Sequence, residues 1–446
     1  MYLKLAFYSF HHLSPVRKLK MTAEKAKQEK EEQVKEEPVK DVKEENERTK
    51  FVYLIYTIKP AIICENIFGI FRFRMVDNDL VKPSWWMKFS GVTISLAFIA
   101  LFCMYINFPT AITGTGNVVD AVYEIPSIVV LIQYVTSVIT TAFFISTSTI
   151  RIFSSMANLD TMLRINMNAD FYEESRRQTI IFLIILYLSH VIIGTIDILT
   201  DKKFDAFKIL VLVLYTEQDL EIFVFCKMVY MLKSRLGVIN DYLAKFDLEQ
   251  KSISSVFTVS KKEMVSEKKF NFIGRVSLDN TKIRDLAIMY DTIGETCAGV
   301  NDVFNFQIFA NLLSTFIYIV VSIWTTLYYI KTPDDISGQL ITVVIWSVLT
   351  VLSVAVMSFT CESLQSTRRN TKILVNEIIM DYDLPRSMRV QAKVFMELIE
   401  AWPLRIFVYD MFSVNDRWTS SRIHNDIRIR NRQKNPQNVL GKYGFC

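Results

Sequence analysis

Thr179-Ile-Ile-Phe-Leu-Ile-Ile-Leu-Tyr-Leu-Ser-His190-Val-Ile-Ile-Gly-Thr-Ile-Asp197-Ile-Leu199 holds no lysine or arginine, and the charged pair Arg176-Arg177 stands just before it. A helix needs ~20 apolar residues to span a hydrocarbon core of ~30 Å. This stretch has that length, and its charges have been swept to the flank. Working outward, comparable runs lie near 89–108, 125–147, 209–232, 303–330 and 339–360. They are rich in Ile, Leu, Val, Phe, Thr and Ser and lack the alternation of barrel strands, so helices are expected. The chain-wide averages of 51% hydrophobic, 13% aromatic and 22% charged residues over 446 positions would also fit a large soluble protein. The segregation of those residues decides the class. The expected fold is an all-α polytopic membrane protein with six transmembrane helices.

Lysine and arginine set the expected orientation, because cytoplasmic loops near crossings carry their excess. Segment 109–124 has none, whereas 151–178 has Arg151, Arg164, Arg176 and Arg177. The stretch 233–301 has eleven basic residues and 361–410 has seven, against Lys202, Lys203 and Lys208 after the third crossing and Lys331 after the fifth. A cytoplasmic amino terminus follows, and with six crossings a cytoplasmic carboxyl terminus. The net charge of +5 reflects this topology. No basic stripe carries interleaved aromatics, so no nucleic-acid partner is expected. The bilayer is the expected partner, and the plasma membrane the expected location.

Residues 1–50 form a charged cytoplasmic arm expected to be disordered, with eleven basic and ten acidic residues from Arg17 to Lys50. The short apolar run Leu3–Phe10 gives no convincing signal peptide, and Met21 offers a second possible start. Segment 51–87 tempts a further crossing, but Lys59, Pro60 and Glu65 argue for an interfacial or re-entrant segment. Crossings one to four occupy 88–232, and 233–301 is a cytoplasmic helical region whose second half flows into the fifth crossing. Crossings five and six occupy 302–360. The region 361–414 is again amphipathic and helical, broken at Pro385, and 415–446 is a basic tail. Long cytoplasmic helices of this kind need a partner surface for their apolar faces.

Chemistry concentrates in the fourth crossing, Tyr215-Thr-Glu217-Gln-Asp219-Leu-Glu221. Each carboxylate at bilayer depth costs at least ~2–3 kcal/mol on insertion scales, so three facing lipid are untenable. Glu217 and Glu221 share a helix face and Asp219 points about 200° away from Glu217. The carboxylates either line a water-filled pocket or are tied up by hydroxyl groups such as those of Thr136, Thr140 or Tyr187. His190 and Asp197, seven apart on one face, either join that polar site or serve as interhelical hydrogen-bond partners. Tyr123, Tyr134, Tyr215, Trp324, Tyr328, Tyr329 and Trp346 lie in or near outer helix halves, where interface anchors and aromatic pockets are both built.

Six scattered cysteines, Cys64, Cys103, Cys226, Cys297, Cys361 and Cys446, show no CxxC spacing, and His11, His12, His190 and His424 form no ligand pair. Neither a metal nor another cofactor is expected. An acidic fourth crossing is no voltage sensor, and six crossings with an inside amino terminus are no heterotrimeric G-protein-coupled receptor. No paired Gly/Pro-interrupted segments suggest an internally duplicated transporter. No P-loop, GxSxG or histidine box points to an enzyme.

Two blocks carry a resemblance. Lys59-Pro-Ala-Ile-Ile-Cys-Glu-Asn-Ile-Phe-Gly-Ile-Phe-Arg-Phe-Arg74 precedes the first crossing. Tyr290-Asp-Thr-Ile-Gly-Glu-Thr-Cys-Ala-Gly-Val-Asn301-Asp-Val-Phe304-Asn-Phe-Gln307-Ile-Phe-Ala-Asn-Leu-Leu313 enters the fifth. Both resemble insect gustatory receptors, and in hydropathy and order the likeness extends over roughly 51–414. The resemblance implies a tetrameric ligand-gated cation channel of the plasma membrane, homomeric or mixed with other receptor subunits. It places a small-molecule tastant among the outer halves of helices two to six, an intersubunit anchor in the cytoplasmic extensions of helices four to six, and the pore on a seventh helix. Candidate ligand-binding residues are then Tyr123, Tyr134, His190, Asp197, Tyr215, Glu217, Asp219, Trp324, Tyr328 and Trp346, with bitter compounds the favoured class.

The chain departs from the family where Trp402 to Val414 leads toward that helix. The family's Thr-Tyr…Gln-Phe motif is missing, and Asp416 to Lys434 is too charged to cross. An unremoved intron or alternative final exon is the expected origin. The competing expectation is a non-conducting, truncated or regulatory subunit, or a transporter-like binding protein.

Overall fold

The computed structural model describes residues 39–76, 79–107, 117–201, 206–254, 282–331, 337–382, 384–408 and 412–413. Most of the expected amino-terminal arm, the middle of 233–301 and the tail 415–446 lie outside the described residues. The chain divides into two compact units, Met1–Thr49 and Lys50–Cys446. Every contact below belongs to the second.

Helix α1 (Val39–Ile67) runs straight through Pro60, which removes one backbone donor without ending the helix. It ends at Gly69, whose φ of +81° lets the Ile70 N–H reach back to the Glu65 carbonyl at 3.0 Å. A two-stranded antiparallel hairpin follows, β1 (Arg74–Val76) with β2 (Asp79–Val81). Helix α2 (Trp85–Asn107) packs its Gly91 against this turn, where an added Cβ would lie 2.5 Å from the Gly69 carbonyl oxygen. Helix α3 (Asn117–Thr140) passes through a π-helical turn at Thr141–Ile145 into α4 (Ser146–Met162). Next come α5 (Ala169–Asp201), α6 (Ala206–Ser254), α7 (Lys282–Lys331) and α8 (Ser337–Met380). The chain breaks at Pro385, resumes as α9 (Arg386–Ala401), and reaches a short hairpin of β3 (Phe407–Val408) with β4 (Phe412–Ser413).

The fold is all-α and polytopic. Among the described residues, five stretches are long and apolar enough to cross a membrane: Trp85–Met104, Ile125–Met162, Ala169–Leu199, Lys282–Tyr328 and Val343–Met380. The fourth of the six expected crossings, 209–232, lies within α6 but does not join these five. Glu217, Asp219 and Glu221 set it apart, and Glu217 and Glu221 are buried inside the molecule. The opposite holds for α2 and α8, of whose apolar windows only 17% and 11% are buried. Side chains such as Leu96, Leu101, Val348, Leu352 and Phe359 face outward, an arrangement that hydrocarbon stabilises and water does not.

Helix α6 sits at the centre, packed most extensively on α8 and also on α7, α5 and α3. The main core follows its length, joining Leu54 and Ile58 of α1, Phe153 and Met156 of α4, Phe225 and Leu232 of α6, Tyr290 and Phe304 of α7, Leu364 of α8, and Phe395 of α9. A smaller core of Ile70, Phe102, Val130, Tyr134, Val138 and Leu214 joins α2, α3 and the amino-terminal end of α6.

Candidate functional site

The acidic stretch of α6 divides between two environments, as its helical geometry requires. Asp219 faces α5 and α8. Its Oδ1 accepts a hydrogen bond from the Ser353 hydroxyl at 2.8 Å, and its Oδ2 lies 3.3 Å from His190 Nε2. The other ring nitrogen, Nδ1, is 2.9 Å from the Leu186 carbonyl, which fixes the imidazole between α5 and Asp219. Trp346 of α8 packs edge-on to His190 at 6.2 Å and meets the Tyr215 ring at 5.0 Å, while Tyr215 also meets Tyr318 of α7 at 6.2 Å. Four helices thus converge on a half-buried patch with aromatic faces, one carboxylate and one imidazole.

Glu217 and Glu221 face the other way, toward α1, α3 and α7. Three features of the sequence build this second site. The Gly69 turn folds the chain back so that Arg72 meets Glu65, with Nε 2.9 and 3.0 Å from the two carboxylate oxygens and Nη2 2.8 Å from Oε1. Arg72 also lies 3.9 Å from Glu221, and its guanidinium stacks over Phe304 at 4.9 Å. The Ser137 hydroxyl donates to Glu221. Glu65, Arg72, Glu217 and Glu221 are each at most 1% exposed, so a single guanidinium is surrounded by three buried carboxylates. Burying such charges without partners would cost several kcal/mol each. One helical turn away, Gln218 Nε2 donates to Asn311 Oδ1 at 2.7 Å, which adds a polar tie between α6 and α7.

Of the residues expected to bind ligand, His190, Tyr215, Asp219 and Trp346 are brought together. Trp324 and Tyr328 stack on each other along α7 at 5.9 Å. Tyr134 belongs to the smaller core, where its hydroxyl donates to the Phe68 carbonyl at 2.7 Å. Asp197 pairs with Lys208 at 3.5 Å and does not join His190. Glu217 lies in the ionic cluster, apart from Asp219. The side chain of Tyr123 lies outside the described residues. The hydroxyl partners expected for the carboxylates differ as well: Thr136 and Thr140 donate to their own helix, at the Ile132 and Ser137 carbonyls, and Ser137 takes the place foreseen for them. The sequence reading missed Glu65, Arg72 and Ser353. An arginine seven residues after a buried glutamate, across a glycine, was the available signal for the first two.

Toward the cytosol-expected end, a second buried ion pair joins α4 to α6, with Arg235 Nη2 2.6 Å from Asp160 Oδ2 and the Tyr172 hydroxyl donating to the same oxygen at 2.8 Å. Trp402, just past α9, is held through both its side chain and its backbone. Its indole N–H donates to Asp291 Oδ1 at 2.7 Å, and its carbonyl accepts from the Tyr290 hydroxyl at 2.9 Å and from Arg368 Nε at 3.2 Å. Among the described residues, no three His, Cys, Asp or Glu side chains are arranged to hold a metal.

The profile of the 7tm chemosensory receptor family matches residues 66–418. No curated protein matches the sequence. Among solved structures, the insect olfactory receptor OR5 from Machilis hrabei superposes with a TM-score of 0.53 at 11% identity, over 88% of this chain and 99% of the receptor. The same receptor in complex with eugenol gives 0.48 at 12% identity, over 85% of this chain and 96% of the receptor. With the profile covering most of the sequence and the fold shared with an insect olfactory receptor, the chain is a multi-pass membrane protein that belongs to the 7tm chemosensory receptor family.

Proposed function

We propose that the chain is a taste receptor subunit: a ligand-gated cation channel of the plasma membrane that opens to a small organic tastant of the bitter class. The observation that carries this reading is the convergence of His190, Tyr215, Asp219 and Trp346 from three helices, with Tyr318 from a fourth. Aromatic faces bind planar apolar ligands, and a few fixed polar groups orient them. Trp324 and Tyr328, stacked on each other farther along α7, are candidates for a second aromatic contact with the ligand. The amino terminus is cytoplasmic, and subunits assemble as a homomeric or mixed tetramer through the cytosolic parts of α6, α7 and α8. No catalytic role is proposed for any residue.

The test is whole-cell recording of the chain in a heterologous cell, alone and with other receptor subunits, during a panel of bitter compounds. The expected result is an evoked inward cation current whose half-maximal concentration rises at least ~10-fold in Trp346→Ala, with surface level unchanged, as losing ~1.4 kcal/mol of ligand contact would produce. Ligand-evoked current in Trp346→Ala and Tyr215→Ala identical to the parent would remove the site from this cluster. A second reading, a subunit that binds ligand without conducting, draws on the charged composition of 415–446. Ligand binding by the purified chain, with no current in any subunit combination, would favour it.

A further inference from the structure

We propose that a small cavity between α3, α6, α7 and α8 is a binding site for one structural water molecule, which couples α7 to the amino-terminal helix. The cavity has a volume of about 10 Å³ and is walled by Phe225, Ile308 and Met357, with Gln133, Glu221 and Gln307 supplying its polar lining. Gln133 Oε1, Glu221 Oε2 and both side-chain atoms of Gln307 are buried and find no hydrogen-bond partner in the protein. Such groups are almost always satisfied in folded proteins, and the usual agent is a buried water making about three hydrogen bonds.

One water satisfies three of these four atoms, all but Gln307 Oε1. It donates one hydrogen to Gln133 Oε1 and the other to Glu221 Oε2, and it accepts from the Gln307 amide N–H. The volume admits about one water and nothing larger. A divalent metal is disfavoured by the donor set, which offers one carboxylate and two amides. The consequence follows from the connections of Glu221. Its other oxygen accepts from Ser137 and lies 3.9 Å from Arg72, which is locked onto Glu65 of α1. The water is therefore the link through which Gln307 on α7 joins an ionic chain that ends on α1.

X-ray radiolytic labelling of the full chain in nanodiscs tests this, because hydroxyl radicals formed from an internal water oxidise the side chains that touch it. Met357 lines the cavity and is 1% exposed, and Met156 and Met228 are equally buried elsewhere in the core at 0% and 1%. Met357 is expected to label several times faster than either. In Gln307→Met, which fills the site with an apolar side chain, the Met357 rate is expected to fall to theirs. Equal rates for the three methionines in the unmodified chain would overturn the proposal without reference to any variant. Unchanged fast labelling of Met357 in a folded Gln307→Met chain would overturn it too, since the water would then be held by other groups.

Discussion

Gly294 lies mid-helix in α7, and a Cβ built there would stand 2.4 Å from Trp402 Cγ and 2.6 Å from Cδ2. Real Cβ atoms do not approach other heavy atoms below 3.0 Å, so Gly294→Ala must displace either the indole or the helix. The indole is not free to yield. Its N–H is bonded to Asp291 at 2.7 Å, one turn from Gly294 on the same helix, and the Trp402 carbonyl is clamped by Tyr290 and Arg368. Overpacking costs about 1–3 kcal/mol, and loss of a hydrogen bond to a charged acceptor about 1.5–3 kcal/mol. Alanine returns about 1 kcal/mol through helix propensity. The expected net destabilisation is therefore about 1.5–5 kcal/mol. Gly237 in α6 supplies the control, since an added Cβ there meets nothing within 4 Å, so Gly237→Ala should raise stability by about 0.4–1 kcal/mol. The assay is the apparent thermal midpoint of both purified variants in one detergent at one heating rate, a constraint imposed by irreversible unfolding. Gly294→Ala should fall and Gly237→Ala should rise. In the background Trp402→Ala the penalty at position 294 should vanish, because the ring that clashes is gone. A Gly294→Ala midpoint at or above that of the unmodified chain would refute the reasoning.

Asp160→Asn should destabilise by about 3–5 kcal/mol, because it leaves Arg235 buried and unpaired. The pair replacement Asp160→Leu with Arg235→Met should recover most of the lost midpoint; equal damage from single and double variants would show that the charges do not compensate each other. The Lys372 ammonium donates to Glu400 at 2.9 Å, and this hydrogen bond and charge hold the Glu400 carboxyl below its ordinary range. A depressed folded pKa means that the stabilisation is present at neutral pH and is lost as pH falls through that folded value. Both groups lie on the surface, so Glu400→Gln should lower the midpoint slightly at neutral pH and converge with the unmodified chain in acid; a gap that widens in acid would reverse the sign.

What the sequence disclosed and what it withheld divide along one physical line. A membrane span must be apolar over a contiguous length, so the stretches in α2, α3, α5, α7 and α8 announce themselves one at a time, and so does the break at Pro385. The rotation of 100° per residue likewise separates Asp219 from Glu217 and Glu221 before any neighbour is known. Partner choice is different. A helix apolar on nearly every side carries no periodicity to say which face meets which neighbour, so the choice among Ser137, Thr136 and Thr140 was beyond reach although they lie within four positions. Arg72 was hidden for a second reason: it belongs to no helix, and only the left-handed turn at Gly69 delivers it to Glu65. The same logic applies to Trp402, whose seat exists because position 294 lacks a side chain. Such contacts join residues 7, 84 and 111 positions apart, and each depends on a glycine or a hydroxyl that looks unremarkable along the chain. Lipid exposure is thus written locally in this protein, whereas the polar links that fix its helices against one another emerge only once the helices are packed.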